Sequence, residues 1–344
     1  MRILILFFIT YFAAVPVSAQ TKTIHINGLQ TTSLKLSAIA ERVISIPLSK
    51  DVSVAMGAFW TGKHLFIASL QDVLQYDISG KYIRKISCNN NYIEGITGSL
   101  SNKELYICVN IPKKNKSEIW CYNYNGKLEK KIPLKNPSII NCLYYNNFLW
   151  LLSENFSDTK IYGHYSYVNI TTGKETFLPN TNEKAFEKNS SGEYIGTGFI
   201  GTLSISNNSL YANWGNNIIW HINNGVKPSF KCEVTPQYEE KLICLKGIIG
   251  NYLFFNYHLD DNHRNLYLHN LKTGKSYNVN YTGTYGNYTQ GAVDDIYNSG
   301  YFDIDKNPLN QEGYFWFIKN MHGKVLKNLP IKGNQVFFII KTKQ

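Results

Sequence analysis

From Leu74 to Ile86 the chain reads LQYDISGKYIRKI: apolar and polar residues alternate, pause at Ser79-Gly80, and alternate again. A period of two marks half-buried strands, and the glycine between them marks a hairpin turn with positive φ. The same turn recurs as NYNGK, NITTGK, NNGVK, NLKTGK and NMHGK, placing glycines at Gly80, Gly126, Gly173, Gly225, Gly274 and Gly323. Two apolar or alternating runs precede each of the first five, such as HLFIAS with VLQYDI and YLFFNYH with RNLYLHNL, and a shorter run follows. A further apolar segment, such as SVAMGAF or SIINCLYY, opens each unit. Four strands repeated at a period of about 50 residues are the signature of a β-propeller.

The pattern therefore predicts an all-β, six-bladed β-propeller of four-stranded blades, lettered A to D outwards, with the first five Gly-Lys turns joining C to D and the MHGK copy not strictly equivalent to them. Seven blades is the alternative. The sixth copy fits less cleanly, because after GYFWFIKNMHGK only QVFFIIK (Gln335–Lys341) reads as a strand. RVISIPL (Arg42–Leu48) also has no partner nearby. The ring is predicted to close by pairing this N-terminal strand with the C-terminal strands, which removes open edges. The resulting division is a signal peptide over 1–19, an N-terminal extension over 20–41 with a short turn near LSAIAERV, and one propeller domain over 42–344.

Composition agrees with a sheet protein. Tyr (25) and Phe (18) are abundant, while only 17% of residues are charged, and aromatic side chains suit a pleated, half-buried surface. The first residues carry a different message. Met1-Arg2 is followed by the apolar run Ile3–Val15, Pro16, and small residues up to Ala19. This is the layout of a cleaved secretory signal, and the run is shorter than the roughly 20 residues of a membrane span. An uncleaved anchor is the alternative. No cysteine follows the small residues, so there is no lipobox, and the mature chain is expected to be soluble and exported, periplasmic or secreted.

In such a compartment the six cysteines (Cys88, Cys108, Cys121, Cys142, Cys232 and Cys244) can form disulfides. None makes a C-x-x-C pair. Cys108 and Cys121 fall on two arms of one predicted hairpin, where they either face each other or are simply buried thiols. The net charge of +11 favours anionic partners, but the lysines are dispersed and their densest group, Lys113–Lys116, reads as a solvated loop. Export argues against nucleic acid.

LSAIAERVISIPLS, LQYDISGKYIRKI, VDDIYNSGYF (Val293–Phe302) and the terminal NQVFFIIK follow one another along nearly the whole mature chain. In their order and spacing the chain resembles an exported six-bladed β-propeller family of Bacteroidetes-type proteins, largely uncharacterised and similar to NHL and TolB-like propellers. Members often carry a Gly/Pro/Glu-rich stretch after the first blade, whereas CNNNYIEGITG is Asn-rich here. The resemblance implies the fold and the exported location, and brings no activity.

In a propeller the B–C and D-to-A loops share one face, opposite the Gly-Lys turns. Candidate ligand-binding residues on that face are Trp214, then His258, Asp260, Asp261 and His263 of HLDDNHR, and the pair Asp294 and Asp295. Imidazoles and carboxylates can ligate a metal, yet Asp and Asn are also ordinary turn formers, and Asp294-Asp295 equally suits accepting hydrogen bonds from loop amides. Trp60, Trp150 and Trp220 read as packing rather than platform. The polar connection 180–198 reads as mobile. Glu94, Asn141 and Asp294 form an alternative calcium or zinc set of the kind some propeller lactonases use.

No nucleophile elbow, P-loop or dinucleotide fingerprint is present. The sequence reading is thus an exported, non-catalytic binding module without a cofactor. It presents a face to a peptide, protein or glycan in the extracytoplasmic space. The alternative is a divalent-metal-dependent hydrolase or lyase of the propeller lactonase or NHL type.

Overall fold

A computed structural model describes residues 21–26, 33–136, 138–156, 160–178, 183–188, 194–196, 202–213, 218–222, 226–234, 243–258, 263–284, 287–302, 312–321, 326 and 333–344. Segment 1–19, expected to be a signal peptide, lies outside these. Four elements come first: β1 (Lys22–Ile26), β2 (Ser33–Lys35), the one-turn α1 (Leu36–Ile39) and β3 (Ala40–Leu48). Blade one contains β4 (Gly57–Trp60), β5 (His64–Ala68), β6 (Asp72–Asp77) and β7 (Tyr82–Ser87). Blade two contains β8 (Tyr92–Ser99), β9 (Glu104–Ile111), β10 (Lys116–Asn123) and β11 (Leu128–Pro133), with a 3-10 turn at Pro112–Lys114.

Blade three contains β12 (Ile139–Tyr145), β13 (Phe148–Phe156) and β14 (Lys160–Asn169), whose outer neighbour is split into β15 (Glu175–Phe177) and β16 (Glu183–Lys188). A further strand, β17 (Tyr194–Gly196), pairs with β16. The connection expected to be mobile therefore carries two strands. Blade four contains β18 (Thr202–Ser206), β19 (Ser209–Asn213), β20 (Ile218–Ile222) and β21 (Val226–Val234). Blade five contains β22 (Ile243–Ile249), β23 (Tyr252–His258), β24 (His263–Asn270) and β25 (Ser276–Thr284). It is continued outwards by β26 (Asn287–Asp294) and β27 (Gly300–Tyr301), and the chain ends with β28 (Tyr314–Asn320) and β29 (Gln335–Thr342).

The fold is an all-β propeller of five blades built on four strands, and this corrects the expectation of six or seven. Two features of the sequence overcount. The segment around GAVDD, which reads as the first strand of a sixth blade, instead lies in β26, where Gly291–Val293 pair with β2, Val293 and Asp294 with β27, and the residues just before them with β25. Gly291 permits this: its φ is 143°, and a Cβ there would stand 2.4 Å from the Tyr281 ring. The last Gly-Lys copy adds a count where only a three-stranded sheet stands. It falls in the 321–334 connection between β28 and β29, closed where Met321 N–H donates to the Asn334 carbonyl at 2.6 Å; Gly323 itself is outside the described residues. What remains is a three-stranded closing sheet, β28-β29-β3. In it Leu48 stands opposite Gln335 and Arg42 opposite Lys341.

Four C–D turns share one construction. Asp77, Asn123, Asn169 and Asn270 each accept two backbone N–H groups of the turn through a side-chain oxygen. Gly80, Gly126, Gly173 and Gly274 follow with φ between 71° and 82°, where a side chain is strained. Three of these glycines also sit close to the outer strand of the preceding sheet. A Cβ on Gly80 would lie 1.8 Å from the Pro47 carbonyl oxygen, one on Gly126 3.1 Å from Arg84, and one on Gly173 3.5 Å from Ile132. Pro47 and Ile132 lie near the C-terminal ends of β3 and β11, and Arg84 lies midway along β7, so β3 plays for blade one the part that β7 plays for blade two.

Outer edges are managed in two ways. Exposed Arg84 and Lys85 on β7, and Lys131 on β11, discourage pairing with another chain. On blades four and five the N-terminal extension does the covering: β1 runs parallel to β21 and β2 parallel to β26. Between them and β3, α1 buries Leu36 and Ile39 completely in the core shared by blade five and the closing sheet. Each such side chain contributes about 1.5–3 kcal/mol. The extension is thus a strap across three sheets. Among the described residues no helix is long and apolar enough to cross a membrane.

Candidate functional site

The sequence candidates fall on several elements. Trp214, Asp260 and Asp261 lie outside the described residues. His258 ends β23 and His263 opens β24, with His258 opposite Arg264 in the ladder. Asp294 is 1% exposed and is taken up by its own turn. One of its oxygens accepts the N–H of Ile296 and Tyr297 at 3.0 Å each, and the other accepts that of Ser299 at 3.3 Å. Asp295 instead faces the strap, accepting from the Ser37 N–H at 2.9 Å and the Ser37 hydroxyl at 2.6 Å.

The alternative metal set falls on three strands. Glu94 and Asn141 belong to the innermost strands of blades two and three, β8 and β12, which pack side by side. Asp294 ends β26, bonded to β25 and β2. Among the described residues no group of three or more His, Cys, Asp or Glu is arranged to hold a metal ion. Glu94 occupies a bulge, since the β8–β9 register shifts between Ile93 and Gly95. Burial pushes its carboxyl above the usual range, partly opposed by a long hydrogen bond from Asn110 Nδ2 at 3.5 Å. The tryptophans divide as well: Trp60 is buried in the core, while Trp150 donates to the Tyr145 carbonyl at 3.2 Å.

What the structure does assemble is an apolar pair on the face of the B–C and D-to-A loops. Leu70 sits in the B–C loop of blade one and Tyr92 opens the inner strand of blade two; each is 47% exposed. They are held together by backbone, because Ile93 N–H donates to the Leu70 carbonyl at 2.8 Å and Cys88 N–H to the Gln71 carbonyl at 3.0 Å. The intervening loop is fixed by Asn89 and Asn90, both at positive φ, a conformation Asn adopts more readily than most residues. The run CNNNY is therefore what turns the chain from blade one into blade two. Tyr92 stands opposite Asn110 on β9, directly before the basic turn carrying Lys113 and Lys114. An apolar pair beside a cationic loop can receive an apolar side chain next to a carboxylate.

Alternation could not reveal this pair, because a leucine in a turn and a tyrosine at a strand start break no pattern. The usable signal was their context, two large apolar residues flanked by turn formers.

No protein-family model and no curated protein sequence matches the chain. Among solved structures it is similar to the β-propeller domain of Cps50 (Swd1) from Myceliophteria thermophila, at 14% identity and a TM-score of 0.48, over 87% of this chain and 100% of that one.

Proposed function

We propose that the chain is an exported, non-catalytic binding module that takes no cofactor, and that it holds an acidic peptide segment of a partner protein on the Leu70–Tyr92 face. The observation that carries this reading is the backbone-fixed, half-exposed pair itself. Large apolar side chains kept at the surface by hydrogen bonds between two blades lose little entropy when a partner covers them. The neighbouring Lys113 and Lys114 supply the sign of charge, in keeping with the net charge of +11. The signal-like N-terminus supports action outside the cytoplasm, where the partner is expected.

The test is affinity capture from the extracytoplasmic fraction with the wild-type chain, L70S/Y92S, and I78S as a control. Ile78 is 58% exposed in the blade-one C–D turn, on the opposite face. A partner whose capture falls at least tenfold with L70S/Y92S, holds with I78S and weakens with added salt supports the reading. Equal capture by all three would overturn it.

A further inference from the structure

Cys108 and Cys142 sit on different blades, and a missing side chain brings them together. Cys108 lies on β9, directly opposite Gly95 of β8. Residues opposed in an antiparallel pair carry their Cβ positions on one face, about 4.5–5.5 Å apart. Gly95 has no Cβ, and the Cys142 thiol of blade three fills the vacated space: a Cβ built on Gly95 would lie 2.8 Å from Cys142 Sγ. The neighbouring Cys142 thiol and burial push the Cys108 thiol well above its ordinary range. Cys108 is fully buried and Cys142 is 3% exposed.

The hairpin partner suggested by sequence is less well placed. Cys108 is opposite Ile119, and Cys121 is opposite Tyr106, so the two cysteines are diagonal neighbours, about 7–8 Å apart by backbone. A disulfide needs Cβ atoms about 3.5–4.5 Å apart. All three thiols are free in this structure.

We propose that Cys108 and Cys142 are a modification site: under oxidising conditions they join in a disulfide that covalently ties blade two to blade three. Both S–H bonds break and one S–S bond forms. The two protons and two electrons pass to a small-molecule disulfide, which is reduced to two thiols. Because both sulfurs are buried, the exchange occurs as the chain folds, before the two blades close over them. The site is independent of the Leu70–Tyr92 face.

The experiment refolds the denatured, reduced full chain with oxidised glutathione. It then unfolds the product, blocks remaining thiols, and maps it by mass spectrometry. The expected result is one linked peptide pair containing Cys108 and Cys142, four blocked cysteines, and an unfolding midpoint that drops when dithiothreitol is added. C121A should give the same map, and C142A should give no link to Cys108. Recovery of folded wild type with all six thiols blocked, or with Cys108 joined to Cys121, would sink the proposal. Because the map is read on the wild type, it stands even where a variant fails to fold.

Discussion

Asp295 grips Ser37 with both carboxylate oxygens, one on the backbone N–H and one on the hydroxyl, across 258 residues of sequence. This tie fastens the N-terminal strap to the turn that follows β26. Burial pushes the Asp295 carboxyl up, but the Ser37 bonds and the charge of Lys35 outweigh it and hold it below its ordinary range. Such a depressed acid stabilises the fold above about pH 4, and that contribution fades as pH falls through the lowered value. D295N should therefore lower the thermal midpoint at pH 7, with the gap to wild type narrowing towards pH 3. S37A should cost about 1 kcal/mol at neutral pH. A constant gap across that range would exclude ionisation as the cause.

The turn glycines give a graded series. At Gly80 an added methyl group meets the Pro47 carbonyl, whereas at Gly274 nothing lies within 4 Å. Both have positive φ, so G274A carries only the conformational cost, about 1 kcal/mol. G80A adds a backbone clash and should cost clearly more, roughly 3 kcal/mol in denaturant titrations. Equal losses would show that Gly80 does not seat on β3.

Glu94 offers a charge test. Its raised carboxyl pKa means the ionised form is the poorly accommodated one. The fold is favoured at low pH and loses that advantage as pH rises through the shifted value. E94Q should melt at or above the wild-type temperature at pH 7, and the two should converge near pH 4. A marked loss at pH 7 would show that the carboxylate is needed ionised in the fold.

Removing residues 20–32 would take away β1 and uncover the outer edge of β21. Exposed edges recruit other strands. The truncated chain should elute as concentration-dependent oligomers in size-exclusion chromatography with light scattering, where a chain beginning at residue 20 does not. Unchanged elution would make β1 dispensable.

The repeat was legible because blades one, two, three and five obey a single rule: a strand pair, an Asx-type turn, and a glycine at positive φ. The pairing of RVISIPL with QVFFIIK was legible as well, since each run lacked a neighbour. The blade count was not. VDDIYNSGYF opens like a unit, yet β26 is drawn to β25 and β2 by packing of Tyr281 and Gly291 that no period encodes. NMHGK copies the turn while the chain around it makes a longer connection. The strap was invisible for another reason: β1 and β2 are short, and their partners are parallel strands 208 and 258 residues away. Asp294 and Asp295 stood out as paired acids, but only the fold distinguishes the one closing its own turn from the one holding Ser37.

The keying of Gly80 onto β3 bears on how the chain emerges during synthesis. β3 is among the first strands made, and blade one can dock on it at once, while β29, its hydrogen-bonded partner, is among the last. Until then β3 carries an unsatisfied edge with a completed blade already leaning on it. Contacts of such long sequence separation form slowly. Ring closure is therefore the late step, and a nascent chain stopped short of Gln335 would present a sticky strand that the finished protein hides.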